Sequence, residues 1–540
     1  MMNTATEKET AVKNAIILIS DPLSEEGLQP LREAEGVELK IQTGMTPEEL
    51  VKAVKEADAL LVRSQTQVTR EVIEAAGNLK VIGRAGVGVD NIDLEAATER
   101  GIIVVNAPDG NTNSAAEHTI AMMTALARNI PQAFLSLKEG KWDRKKFVGV
   151  ELKEKTLGIV GLGRIGAEVA RRAKGQRMSV IAYDPFLTQE RAKEMGIAVG
   201  TLDEVVAAAD FITVHTPLMK ETRHLINADR FAKMKDGVRI INCARGGIID
   251  EDALYDAIES GKVAGAALDV FETEPFTGHR LLDLPQVIAT PHLGASTIEA
   301  QESVAIDVGR DVVRFFDGQP VRNPVNMPSV SREVLAKIGP FFDLAEDLGV
   351  FISHLADKPL TEVNIRYAGD LAEFDVRPLT RNALKGILKR NLGTHVNDVN
   401  AKYLADSIGI GVTEHKSAQT KGFQHLITVE VKTGDETHSV SGTLLNGLGE
   451  RIVKVDDYVV DVVPAGHLLL IKHKDQPGAI GRVGTLLAEE NINIATMQVG
   501  RSAEGGDAIM MITVDNEVKP EEVSRLLKIE DIHAVRTIDL

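Results

Sequence analysis

The sequence predicts an α/β protein built on doubly wound parallel sheets, followed by an α+β segment and a small ferredoxin-like unit. Three observations predict it. Short apolar runs alternate with amphipathic stretches from residue 15 to about residue 291. One run ends in a glycine turn, and the next run closes on an acid. Past residue 328 the alternation gives way to paired strands.

The first alternation places strands at 15–20, 59–63, 80–84 and 101–106, as in a parallel sheet with helical crossovers. A long apolar helix follows near 114–128, then a basic stretch containing Lys141 and Arg144 to Lys146. The glycine turn reads Gly161-Leu-Gly163-Arg-Ile-Gly166, and Asp184 ends the next apolar run eighteen residues after Gly166. Gly161 permits the tight turn, Gly163 lets the backbone approach a pyrophosphate, and Gly166 lets the helix pack on the strand. Asp184 is placed to accept a hydrogen bond from a ribose 2′-hydroxyl and to repel a 2′-phosphate, which selects NAD over NADP.

The segment 318–328 is rich in proline and asparagine and marks a boundary. Helical stretches at 332–356 and 378–391 then precede strands at 425–432 and 439–444 that read as an antiparallel pair. A second boundary at 463–466 leaves 74 residues in the order strand, helix, strand, strand, helix, strand.

Composition limits the partners. The 540 residues carry a net charge of −18, which argues against nucleic acid or an anionic membrane. An anionic substrate must then be gathered by a local basic cluster. A single cysteine, Cys243, excludes an internal disulfide and a zinc site built on several cysteines, and no metal is expected. The polar start resembles no export signal and no apolar run is long enough for a membrane span, so a cytoplasmic protein is expected.

A nicotinamide site needs a proton acceptor and a means of holding substrate. Arg245 follows the apolar run 238–241, where a guanidinium can grip a carboxylate in bidentate fashion. Glu274 and His292 each follow a later strand, and a histidine oriented by a carboxylate is a suitable acid and base. His215 also ends a strand and stays open as a rival; His118, on the apolar helix, reads as a packed structural histidine.

Cys243-Ala-Arg-Gly-Gly, Leu268-Asp-Val-Phe-x-x-Glu274-Pro and Pro291-His-Leu-Gly-Ala-Ser-Thr, with Gly83-Arg84-Ala-Gly-Val-Gly-Val-Asp90-Asn-Ile-Asp93, closely resemble the D-isomer-specific 2-hydroxyacid dehydrogenases over roughly residues 14–325. The resemblance implies that Arg245 binds substrate, His292 is acid and base, and Glu274 pairs with it. It also implies that Arg164, Ile165, Thr216 and the Cys243-Ala244-Arg245 segment line the NAD site, together with Asp269, His292 and Gly294. It further implies two Rossmann-like or flavodoxin-like lobes: 1–105 with 297–327 for substrate, and 106–296 for NAD.

The last 74 residues resemble an ACT domain, with His473, Asp475 and Asn493 at its effector positions and residues 465–540 as its extent. Residues 328–464 then correspond to an intervening domain. Together these resemble the long form of the family that oxidises 3-phospho-D-glycerate, answers to L-serine and works as a homo-oligomer, a dimer or tetramer. Arg63 and Arg84 are the expected cations for that substrate; the run of Lys141 and Arg144 to Lys146 reads first as a solvated face, with positive charge added across a dimer interface as the second reading. Two other readings stay open: a reductase of glyoxylate, hydroxypyruvate or 2-oxoglutarate, and an NAD-sensing corepressor on the same fold.

Overall fold

A computed structural model describes residues 14–275, 278–420, 422–434 and 436–540; the polar N-terminal start lies outside the described residues. Two parallel sheets form the first two lobes, as the alternation predicts. In the first, β1 (Ala15–Ile19), β2 (Val37–Ile41), β3 (Ala59–Val62), β4 (Val81–Arg84) and β5 (Ile103–Asn106) lie in the order β2-β1-β3-β4-β5. All four residues of β3 are buried, because helices cover both sheet faces. The sequence reading passes over β2. Its Val-Glu-Leu-Lys-Ile alternation belongs to an edge strand and contains no apolar run.

The second sheet holds β6 (Thr156–Val160), β7 (Ser179–Tyr183), β8 (Ala198–Val199), β9 (Phe211–Val214), β10 (Val238–Asn242), β11 (Val263–Leu268) and β12 (Val287–Ala289). Its order is β12-β11-β10-β9-β6-β7-β8, so the winding reverses between β6 and β9, where a crevice opens beyond the strand ends. Two helices join the lobes. Thr112–Ala127 leaves the first sheet and packs on the helix Arg164–Gly175 of the second. Ile298–Phe316 returns and packs on the helix Glu25–Glu33 and on β4.

The third unit has β13 (Glu362–Gly369), β14 (Gly411–Ser417), β15 (His425–Thr433), β16 (Glu436–Leu445), β17 (Gly449–Val455) and β18 (Tyr458–Val462), in the order β14-β13-β15-β16-β17-β18. β15 and β16 pair antiparallel, as expected, whereas β13 and β14 are parallel and make the sheet mixed. The helices Phe342–Ser353 and Arg377–Leu392 pack together beside it. The fourth unit is a split βαβ sheet of β19 (His467–Lys474), β20 (Ile494–Arg501), β21 (Asp507–Val514) and β22 (Ile532–Asp539), ordered β20-β21-β19-β22. Leu468, Leu470, Ile509, Met511 and Ile538 share one buried cluster with Leu348 and Ile352 of the third unit. Its two sheet faces are thus both covered, one by its own helices and one by its neighbour. Among the described residues no helix is long and apolar enough to cross a membrane.

Candidate active site

β6 ends at the reversal of the second sheet, and the glycine turn begins there. Gly161 has φ +95, and a Cβ on it would stand 2.7 Å from the His215 carbonyl oxygen beyond β9. A Cβ on Gly166 would stand 2.2 Å from the Gly161 carbonyl oxygen, so only hydrogen lets the helix close on the turn. Gly163 caps the helix, and a Cβ there would meet nothing within 4 Å. The first-turn amides of this twelve-residue helix therefore border open space suited to a pyrophosphate. Beside Gly161, the buried Oγ1 of Thr216 has no hydrogen-bond partner. Asp184 lies just past β7, where its carboxylate accepts from the amides of Leu162 (2.8 Å) and Phe186 (2.8 Å). It thereby ties the acid to the turn itself, and each oxygen keeps a lone pair for a ribose hydroxyl. An open cradle, an orphaned hydroxyl and a placed carboxylate fit NAD.

The other residues expected around the cofactor divide by role. The Arg164 guanidinium forms an ion pair with Asp109 at 2.5 Å. Ile165 packs on the lobe core, leaving its backbone for the turn. Cys243 is buried, and burial, reinforced by Asp269, pushes its thiol up, so it serves as a small apolar wall. The buried Asn242 side chain accepts from Ala244 N (3.1 Å) and donates to Arg245 O (2.9 Å), shaping the loop that presents Arg245.

Arg245 reaches the first lobe, where its Nε donates to Asp90 at 3.0 Å. Glu274 accepts from the Phe271 amide (3.1 Å) through one oxygen and lies 2.7 Å from His292 Nδ1 through the other. Burial acts most strongly on the Glu274 carboxyl and would raise it. Hydrogen bonds from His292 and Phe271 and the charge of His292 outweigh burial and hold it below its ordinary value. His292 has φ +56, a strained backbone for a residue with a side chain. Asp269 holds that loop: its backbone oxygen accepts from His292 N (2.9 Å), and its carboxylate accepts from Leu293 N (2.7 Å), Gly294 N (2.8 Å) and Thr290 Oγ1 (2.6 Å).

A cleft of about 990 Å³ between the lobes is lined by Arg63, Arg84, Glu274 and His292. Arg84 is pushed down to about 10, first by burial and then by the neighbouring Arg245, with Asp90 opposing, so it stays cationic at neutral pH. Arg63 is set at the end of β3 by its amide, which donates to Asp21 at 2.6 Å. The carboxylate of Asp21 also accepts from Thr66 N (3.2 Å) and Thr66 Oγ1 (2.7 Å), so it stitches the reversal point of the first sheet. His215 stands apart from this cleft. It is partly buried with Nδ1 enclosed, its Nε2 lies 3.0 Å from Thr213 Oγ1, and desolvation pushes it down to about 4.

Asp90 and His118 also belong to this network. Asp90 was visible in its motif, but only the fold brings it to Arg245. His118 is not packed among apolar groups alone: its Nε2 lies 3.2 Å from both Thr290 Oγ1 and the Asp269 carboxylate.

In the fourth unit Asp475 accepts from Gly505 N (3.2 Å) and Arg501 (3.3 Å), and Asn493 donates to Asp515 (2.7 Å). His473 is buried, with Nδ1 2.6 Å from Lys474 O. Register separates them. Lys474 faces Asp507 at one end of the sheet, while Ile494 faces Val514 at the other. One copy therefore does not bring Asp475 and Asn493 together.

A crevice for NAD at a sheet reversal, facing an arginine and a carboxylate-paired histidine across a cleft, defines an NAD-dependent dehydrogenase. Residues 120–294 match the D-isomer specific 2-hydroxyacid dehydrogenase NAD binding domain, 337–456 the D-3-phosphoglycerate dehydrogenase intervening domain, and 467–531 the ACT domain. D-3-phosphoglycerate dehydrogenase of Bacillus subtilis is 48% identical over 524 residues, covering 97% of this chain and 99% of that one. The protein of the same name from Archaeoglobus fulgidus is 47% identical over 527 residues, covering 97% of this chain and 100% of that one. Among solved structures, D-lactate dehydrogenase from Aquifex aeolicus complexed with NAD and lactic acid is 32% identical, with a TM-score of 0.52, covering 58% of this chain and 100% of that one. The chain belongs to the D-3-phosphoglycerate dehydrogenase family.

Proposed function

We propose that the protein oxidises 3-phospho-D-glycerate to 3-phosphohydroxypyruvate with NAD, the first step of L-serine biosynthesis. The observation that carries this is the meeting of the His292–Glu274 pair with Arg63 and Arg84 in one cleft, beside Arg245. The glycine turn Gly161–Gly166, Thr216 and Asp184 would hold NAD in the β6–β9 crevice, where it would supply the hydride acceptor. His292 takes the C2 hydroxyl proton on Nε2, since Nδ1 faces Glu274. The Glu274 carboxylate stabilises the imidazolium so formed. Arg245 holds the substrate carboxylate and polarises the developing carbonyl, with Asp90 fixing its angle. Arg63 and Arg84 supply positive charge for the phosphate in a chain whose overall charge repels anions. NADH formation with 3-phospho-D-glycerate, compared with D-lactate and with glyoxylate in reverse, tests the assignment. Equal efficiency on unphosphorylated acids would overturn it.

We further propose L-serine as a feedback effector in the ACT domain of a cytoplasmic homo-oligomer, a dimer or tetramer. Because Asp475 and Asn493 lie at opposite sheet ends, a serine site using both combines two copies. The helix Ile130–Lys138 supports association. None of its residues is buried, and Phe134, Leu135, Leu137 and the nearby Trp142 are 58, 58, 55 and 79% exposed. Apolar patches of this kind mark contact surfaces. Sedimentation of the full chain tests it, and a monomer at assay concentration would overturn it.

A further inference from the structure

A second cavity, of about 1140 Å³, lies between the first lobe and the intervening domain, away from the catalytic cleft. Its walls are held together directly. Asn397 Nδ2 donates to Gly101 O at 2.8 Å, and Asn400 Nδ2 lies 3.4 Å from Glu99 O. The segment crossing from lobe to domain is itself tied down, since Asn326 Oδ1 accepts from Val104 N (2.9 Å) and Asn326 Nδ2 donates to Ile102 O (2.9 Å). The cavity is therefore a built feature and not a gap between loose bodies.

Its lining is apolar on one side, with Phe315, Val321, Met327, Val330 and Phe342. The charged lining residues do not cancel. Glu99 is paired with Arg70 at 2.8 Å, and Asp398 with Lys385 at 2.9 Å. Arg100 and Arg381 instead donate to backbone carbonyls, Arg100 to Ala76 O (3.2 Å) and Arg381 to Asp398 O (3.1 Å) and Val399 O (2.7 Å). Among the described residues neither guanidinium forms an ion pair with a carboxylate. Burial pulls the Arg381 guanidinium below its usual range, and the charge of Asp398 only partly restores it. A half-buried guanidinium whose charge is only partly offset gains from an added anion, because the surrounding dielectric is low.

We propose that this cavity is a binding site for a small amphipathic anion, an apolar body carrying one carboxylate or phosphate. Arg381 and Arg100 take the anionic head, and the Phe315–Val321–Phe342 side takes the body. The volume suits a ligand of drug-like size. An occupant touches both the substrate lobe and the intervening domain, so the site is placed to report ligand state from one to the other.

The test is calorimetric titration of the full-length protein with octanoate, octyl phosphate and octanol. The two anions should bind and octanol should bind at least about 10-fold more weakly, as expected for loss of charge-assisted hydrogen bonds. Preference between octanoate and octyl phosphate identifies the head group. Arg381→Gln and Arg100→Gln should each weaken the anions by roughly 10–100-fold. If Arg381→Gln does not fold, Arg100→Gln and the cavity-filling Met327→Trp carry the test. Octanol binding as well as octanoate, unchanged binding in the variants, or displacement by 3-phospho-D-glycerate would each overturn the assignment.

Discussion

His292 Nδ1 lies 2.7 Å from the Glu274 carboxylate, so under the proposed mechanism the opposite ring nitrogen, Nε2, is the one that meets the substrate hydroxyl. His292→Gln should lower turnover by about 10²–10⁴-fold, the usual range for a general base, with NADH affinity little changed. Near-normal turnover would reject His292 as the base.

Glu274 is held below its ordinary value, so it is ionised across neutral pH and favours the protonated partner. Glu274→Gln removes that charge and leaves the imidazolium less favoured. The acidic limb of the pH profile for oxidation should therefore move to lower pH. An unchanged limb would show that the two groups do not communicate.

His118 contacts Asp269, which anchors the amides of Leu293 and Gly294 beside His292. His118→Leu should lower kcat by about 10-fold with the KM for phosphoglycerate unchanged, as a buried carboxylate loses one donor. His118→Gln, which keeps a donor, should recover most of the rate. Equal loss in both variants would mark His118 as packing only.

Asp184 accepts from the Leu162 amide of the glycine turn, and its expected role is to accept from a ribose hydroxyl as well. Asp184→Ser should weaken NAD and relatively improve NADP, because an acceptor and a repelling charge vanish together. Efficient NADP use by the unmodified protein would refute this role.

Separation of Asp475 from Asn493 along the sheet makes the serine prediction specific. L-serine should inhibit the parent protein, while Asp475→Ala and Asn493→Ala should be active and insensitive. Mixed assemblies of the two variants should regain part of the inhibition, since one interface site per pair is intact. Loss of inhibition in the mixture would remove the shared site, and a parent protein indifferent to millimolar serine would leave the ACT domain as an assembly element.

The sequence by itself determined the parallel lobes and the NAD crevice, and it supplied the candidate chemical groups. Each rests on a local pattern: apolar runs of buried strands, a glycine spacing set between a strand and an acid that ends the next strand, and histidine, glutamate and arginine just past strand ends. The edge strand β2 escaped because an edge carries no apolar run. Tertiary structure decided what depends on distance between remote segments. It brought Asp90 to Arg245 and His118 to Asp269, kept His215 off the cleft lining, and set Asp475 and Asn493 at opposite sheet ends. Such contacts join residues up to 155 positions apart, through packing between strands and lobes that no local periodicity encodes.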